Sequence, residues 1–310
     1  MFMLTIVILS ILDWSPKAEV VVNYENLRLN RYDNGGSDGN KRAFEIFNKN
    51  KDISILYLKN KLTVANNPLK ERIIWILGEM KDKSSTDILL YELKHNDNES
   101  IKIDTIDALV KIQDRKAVEP LIKLLYSNRM NVCIASIKGL SEIDDIISNE
   151  HIKKLLMHNN PEIRSNAIKY FAKIKDDKAL EKIRKCLNDK DNTVRIAAIY
   201  AIGENEDTYS LRLLLDLVNS NEGAIKLSVI TALGKIKDPI AVEPLLKILK
   251  SNAEDHIKEL AMMSLSEIKD ERVKWAFYDY KMNKNNRTTS HWAEYYLEKI
   301  IKENKTSVGD

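Results

Sequence analysis

Turn formers are scarce in this chain of 310 residues, which holds only 9 glycines and 6 prolines. An all-β protein needs a turn roughly every 8–12 residues, so that class is excluded. Cysteine is scarcer still. Cys133 and Cys186 form neither a metal-ligand cluster nor a disulfide framework, and read as free thiols acting as small hydrophobes. An excess of one charge is also missing, since Lys+Arg 49 stands against Asp+Glu 46 for a net +3. No bulk electrostatic case for nucleic acid follows from that balance. The one conspicuous apolar run is Phe2 to Leu12, interrupted by Thr5 and Ser10. It falls well short of the ~20 residues that a membrane-crossing helix needs. Its length suits the apolar part of a signal peptide, yet no Lys or Arg precedes it and Ser15-Pro16-Lys17-Ala18 is a weak cleavage site. Export to the cell envelope and a cytoplasmic location, with the segment lying on the body, are equally weighted.

Residues 1–20 therefore read as an apolar segment that could be a signal peptide, and 21–40 as a Gly/Asn-rich linker. The linker reading rests on Asp33-Asn34-Gly35-Gly36-Ser37-Asp38-Gly39-Asn40. Residues 303–310 carry little that could pack and read as a disordered tail. Residues 41–302 repeat themselves.

One column of large apolar residues sets the register: Leu77, Leu109, Leu140, Phe171, Ile202, Leu233, Leu265 and Leu297, spaced by 31 or 32 residues. Phe47 marks a degenerate earlier copy. Three positions before the column stand Ile74, Ile106, Ile137, Ile168, Ile199, Ile230 and Met262. Eight before it stand Leu69, Ile101, Val132, Ile163, Val194, Ile225 and Ile257. These offsets fit a helix of 3.6 residues per turn and no strand. A second helix follows, as in Ala117-Val118-Glu119-Pro120-Leu121 and Ala241-Val242-Glu243-Pro244-Leu245, with proline in the first turn where its missing N–H costs nothing. Periods of 20–50 residues mark solenoids. The predicted fold is all-α, an α-solenoid of about seven to eight stacked antiparallel helix pairs.

Five residues past the column, an aspartate recurs as Asp82, Asp114, Asp145, Asp176, Asp207, Asp238 and Asp270. It falls in the turn between helices, where a carboxylate caps the second helix. Seven before the column, a base recurs, with Arg164, Arg195, Lys226 and Lys258 among its members and Cys133 as its interruption. A structural ladder of Asp to Lys/Arg contacts between units is the expectation, since a catalytic carboxylate has no reason to recur in every copy. On the outer face of the second helix an acid meets a base four residues on: Glu119 with Lys123, Glu150 with Lys154, Glu181 with Lys185, Glu243 with Lys247. Arg212 and Asp216 invert the signs, which marks a solvated face balancing its own charge.

Motifs such as Thr193-Val194-Arg195-Ile196-Ala197-Ala198-Ile199-Tyr200-Ala201-Ile202-Gly203 and Ala232-Leu233-Gly234-Lys235-Ile236-Lys237-Asp238 resemble the HEAT-like repeat family. The resemblance is nearer to its short bacterial version, named for phycobilisome lyases, and covers about residues 41–302. It implies a right-handed superhelical arc whose concave side suits a protein or peptide better than a small molecule. Some members of that family are enzymes. The di-iron hydroxylases among them carry repeated His-Glu dipeptides, and none of His95, His151, His158, His256 or His291 precedes a Glu. DNA glycosylases with this fold use a basic cleft, which the charge balance here does not supply. A bilin-lyase-like role rests on the repeat resemblance alone, with no residue to carry it. The sequence thus predicts no catalytic residue, no metal and no cofactor, and leans away from an enzyme.

The leading expectation is a non-catalytic scaffold that binds another protein through its concave face, with an enzyme or lyase subunit of the HEAT-like kind as the alternative. Seven aromatics crowd residues 275–296, among them Trp275, Tyr278, Tyr280, Trp292 and Tyr295, with Arg287 in the basic loop between. They read either as a terminal cap for the core or as a partner-binding cluster.

Overall fold

The computed structural model describes residues 15–28, 38–143, 146–282 and 287–306. The apolar run Phe2–Leu12 and Asp145 lie outside the described residues, among which every element is helical. Contacts divide the chain into two units, Met1–Ile152 and Lys153–Asp310.

In the first unit the helices are α1 (Pro16–Arg28), α2 (Asp38–Lys49), α3 (Lys51–Leu62), α4 (Asn67–Met80), α5 (Thr86–His95), α6 (Glu99–Ile112), α7 (Val118–Leu124) and α8 (Met130–Glu142). Helix α9 (Ser148–Leu155) includes the division. The second unit holds α10 (Pro161–Ile174), α11 (Asp177–Lys185), α12 (Asn192–Glu204), α13 (Leu211–Leu217), α14 (Gly223–Ile236), α15 (Val242–Lys250), α16 (Asp255–Ser266), α17 (Glu271–Met282) and α18 (Arg287–Thr306). Even numbers carry the first helix of each repeat and odd numbers the second. Within each unit first helices pack on first helices, α4 on α6 on α8 and α10 on α12 on α14 on α16 on α18. Second helices fill the seam beside the next first helix within a unit, as α5 does on α6, α7 on α8 and α13 on α14. That is the all-α solenoid stacking expected from the period.

The columns explain the packing. Leu77, Leu109, Phe171, Ile202, Leu233 and Leu265 are buried, as are Ile74, Ile106, Ile168, Ile199, Ile230 and Met262 three residues earlier. No single pair could cover both its apolar faces, so burial arises from the neighbours. The first helices approach closely because the residue after the column in one repeat faces the residue before it in the next. A Cβ on Gly78 would lie 2.8 Å from Ala108 Cα. Where Val110 takes the first position, Gly139 takes the second, and its missing Cβ would lie 3.0 Å from Val110 Cγ2. The bulk can sit on either helix, but not on both.

Gly78, Gly139, Gly203 and Gly234 thus sit at helix crossings, and among the described residues the turns that follow the column do without glycine. Lys81, Gln113, Lys175, Glu206 and Lys237, each four residues past the column, have φ of 51, 57, 51, 51 and 60°. This left-handed residue ends the first helix, a place that glycine more often occupies. The aspartate after it then returns to extended backbone and begins the second helix.

Two boundaries differ from the sequence expectation. Helix α1 occupies residues read as apolar segment and linker, with Val20, Tyr24 and Leu27 buried. Tyr24 sets its ring edge-on against Tyr57 at 5.3 Å, an anchor that composition did not reveal. At the other end α18 continues to Thr306, through half of the stretch read as a disordered tail.

Candidate partner-binding surfaces

The aspartate column does the work of caps. Asp82 accepts from Ser84 N at 2.8 Å, Asp114 from Lys116 N at 3.1 Å, Asp176 from Lys178 N at 2.8 Å, Asp238 from Ile240 N at 2.9 Å and Asp270 from Arg272 N at 2.9 Å. The column seven before the leucine does not meet it. Arg164 donates to His158 O at 2.7 Å, Arg195 to Asp189 O at 2.8 Å, Lys102 to Leu93 O at 2.8 Å, and even Cys133 Sγ to Leu125 O at 3.2 Å. These are carbonyls at or just past the end of the preceding second helix, where the backbone lacks partners of its own. Lys70 meets Glu92 on its own repeat's second helix at 2.7 Å, and the two arginines reach the turn after that helix. Arg164 pairs with Asp189 at 2.6 Å and Arg195 with Glu222 at 2.8 Å. Lys226 and Lys258 form no ion pair among the described residues. The expected ladder is thus corrected in its partners. The inter-helix aspartates are consumed by their own turns, and the bases take other carboxylates.

Asp207 departs from its column. It is 4% exposed, and Arg184 grips both its oxygens at 2.7 and 2.8 Å while Ser210 donates a third hydrogen bond. Burial alone would raise its carboxyl, but Arg184 and Ser210 overturn that and hold it below the usual range. On the outer face of the second helices Glu181 meets Lys185 at 3.5 Å, while Glu243 lies 3.6 Å from Arg272 instead of pairing with Lys247.

A charge ladder does run along the first helices, two residues past the leucine column. Lys49, Glu79, Lys111, Glu142, Lys173, Glu204, Lys235, Glu267 and Lys299 alternate in sign without exception. Glu79 meets Lys111 at 2.6 Å, Glu204 meets Lys235, and Glu267 meets Lys299 at 2.7 Å. Lys111 and Lys235 also lie over the rings of Trp75 and Tyr200, at 5.8 and 5.3 Å. The alternation is visible in the sequence once the leucine column is aligned.

On this first-helix face of the second unit lies a groove of about 900 Å³, spanning α10, α12 and α14. Ala172, Ala197, Gly203 and Ala232 form its floor, because close helix crossings demand small residues there. Ile196 and Leu227 are half-buried along it, and Tyr200 is 48% exposed. Lys169, Lys173, Lys175 and Lys235 line it with a single carboxylate, Glu204. The Lys235 ammonium holds the Glu204 carboxyl below its ordinary range, and the Tyr200 hydroxyl adds a hydrogen bond. A groove of about 400 Å³ shares Gly203, Glu204, Thr231 and Lys235 and continues to Met263 and Ser264 on α16. None of these groove residues was among the sequence candidates, apart from their membership of repeat columns.

The aromatic candidates lie on α17 and α18 and divide by burial. Phe277 and Tyr296 pack with their rings 6.4 Å apart inside the hairpin. Trp275, Tyr278 and Tyr295 are 70, 51 and 61% exposed, and Tyr280 and Trp292 are half-buried. Trp275, Tyr278 and Met282 follow one another at i, i+3 and i+7, so one exposed stripe of α17 carries all three. Arg287 opens α18. Among the described residues no group of three or more His, Cys, Asp or Glu is placed to hold a metal ion. No helix among them is long and apolar enough to cross a membrane.

Residues 148–225 and 183–266 match the family of HEAT repeats. In fold the chain is similar to YibA of E. coli at 17% identity and TM-score 0.56, over 80% of this chain and 96% of that one. An engineered protein is similar at 16% identity and TM-score 0.51, covering 93% and 96%. Importin beta is similar at 12% identity and TM-score 0.60 over 91% of this chain, which spans only 44% of the importin. No curated protein matches the sequence. Residues 148–266 thus carry HEAT repeats, and the stacked helix pairs and recurring columns give the described residues of both units a HEAT-like repeat fold.

Proposed function

We propose that this protein is a non-catalytic scaffold that binds a protein partner through the first-helix face of its second unit. The observation that carries the reading is the groove of about 900 Å³ over α10, α12 and α14, with Ile196, Tyr200 and Leu227 left partly open above a floor of small residues. A groove of this volume, lined by three successive first helices, offers contacts spread over several repeats, which suits a polypeptide. The exposed aromatic stripe of α17 supplies a second surface of the residue types that dominate binding hot spots.

Site-specific photocrosslinking in the source cells tests this reading. A benzophenone side chain at position 200, in the groove, is compared with one at position 209, where Tyr209 is 85% exposed in the turn between α12 and α13. One discrete crosslinked protein from position 200, absent from position 209, is the expected result. Equal labelling from both positions would remove the groove from the proposal.

A further inference from the structure

The groove over α10, α12 and α14 has a charge that its surroundings lack. Lys169, Lys173, Lys175 and Lys235 line it with one glutamate, which Lys235 and Tyr200 hold, so the charge that matters to a ligand is that of Lys169 and Lys175. Lys169 and Lys175 are exposed and form no ion pair among the described residues. The excess is local. The adjoining groove over α14 and α16, which shares Lys175, is lined by as many carboxylates as ammonium groups, with Glu204, Glu206 and Glu267 beside Lys175, Lys235 and Lys237. On the first-helix face of the other unit, Asp107 stands in the column that Lys169 occupies here. Asp104 and Glu71 lie near it, and burial with these acidic neighbours raises the Asp104 carboxyl to about 6. The repeat itself does not dictate the sign, so the lysines are a property of this groove.

Charge and apolar surface are also arranged together. Ile196 and Tyr200 come from α12 and Leu227 from α14, while Lys169 and Lys175 come from α10 and the residue that ends it. A ligand must therefore present apolar groups on one flank and negative charge on the other. A nucleic-acid strand would use the lysines but would leave Ile196 and Leu227 uncovered, with Tyr200 as the one aromatic ring for a base to stack on.

We infer that the groove takes an acidic amphipathic segment of the partner, its apolar side chains on Ile196, Tyr200 and Leu227 and its carboxylates on Lys169 and Lys175. This rests on the protein-binding reading above and names the chemistry of what is bound.

The test uses the full chain and labelled peptides of about 20 residues, roughly 30 Å as a helix. Three share one apolar pattern, with Glu, Gln or Lys at every polar position, and a single-stranded oligonucleotide is the fourth probe. Fluorescence anisotropy is read at low and physiological salt. The Glu peptide is expected to bind at least about 10-fold tighter than the Gln peptide, a margin of roughly 1.4 kcal/mol, and to weaken with salt. The double variant Lys169→Glu/Lys175→Glu should abolish that margin while its circular dichroism and melting temperature stay those of the parent. Equal or tighter binding of the Gln or Lys peptide overturns the acidic assignment, yet leaves the scaffold reading standing. The oligonucleotide binding tighter than every peptide overturns both. Binding of no peptide at all overturns the acidic assignment, and crosslinking from position 200 then decides the scaffold reading separately.

Discussion

A Cβ placed on Gly234 would lie 2.7 Å from the Cα of Ser264. Backbone stands at the far side of that contact, so no side chain can rotate away. Gly234→Ala should therefore push α14 from α16 and destabilise the fold by about 1–3 kcal/mol, the usual cost of overpacking. That cost outweighs the gain of up to ~1 kcal/mol from alanine's better helix propensity. Gly223→Ala is the control, because nothing lies within 4 Å of its added Cβ. It should be neutral or slightly stabilising. Urea melts of the two variants check the contrast, and equal midpoints would refute it.

The same glycines show what was legible in the sequence. A residue's size after the leucine column announced a helix crossing, and the 31-residue period announced the pairs. Asp82, Asp114, Asp176, Asp238 and Asp270 were readable as caps, since a turn aspartate bonds its own backbone locally. Partners across the stack were not readable. Arg164 chose Asp189 over the aspartate column because the carboxylates of that column already serve their turns, which depends on spatial order and not on spacing. The groove was hidden for a related reason. Ile196, Tyr200 and Leu227 look like ordinary helix residues until the close crossings beneath them open a trough.

The alternating charges yield a second test. Glu79 and Lys111 meet at 2.6 Å with Lys111 also over the Trp75 ring. Both side chains are about a third exposed, so solvent screens the pair and its worth is about 0.2–1 kcal/mol. Lys111→Glu should cost somewhat more, because it sets two carboxylates together. The exchange Glu79→Lys/Lys111→Glu should recover most of the loss. A double-mutant cycle from denaturant midpoints measures the coupling. A coupling of zero would mean that the alternation is incidental.

Two aspartates should leave opposite marks on stability against pH. The Asp207 carboxyl is held below its ordinary value by Arg184 and Ser210 despite burial. Its unfolded value is near ~3.9, so its stabilisation is present above that pH and is lost as the pH falls through the folded value. Asp104 is raised to about 6, first by burial and then by Glu71 and Asp107. There the folded state binds the extra proton, so stability declines as pH rises from ~4 to about 6. Asp207→Asn should lower stability at neutral pH by about 1–3 kcal/mol, since the partly exposed Arg184 loses a charge-assisted hydrogen-bond partner but stays solvated, and should flatten the acid limb. Asp104→Asn should instead raise stability above pH 6 by on the order of 1 kcal/mol after solvent screening. Melting temperatures from pH 3 to 8 separate the two. A steeper acid limb in Asp207→Asn would reverse the assignment.

The terminal aromatics can be divided into cap and contact by their exposure. Phe277 is fully buried, and Phe277→Ala should cost about 3–5 kcal/mol. Trp275 and Tyr278 stand 70 and 51% exposed on one stripe of α17, so removing them singly should change stability by no more than about 0.5 kcal/mol. If that stripe anchors a partner, the double variant Trp275→Ala/Tyr278→Ala keeps its melting temperature. It should nonetheless lose about 2 kcal/mol or more of affinity for the protein crosslinked from position 200, as buried aromatic anchors do. Thermal melts are read beside affinity for that protein. A double variant that melts as early as Phe277→Ala would assign the aromatics to the cap alone. One with parental melting and parental affinity would leave the groove as the whole of the binding surface.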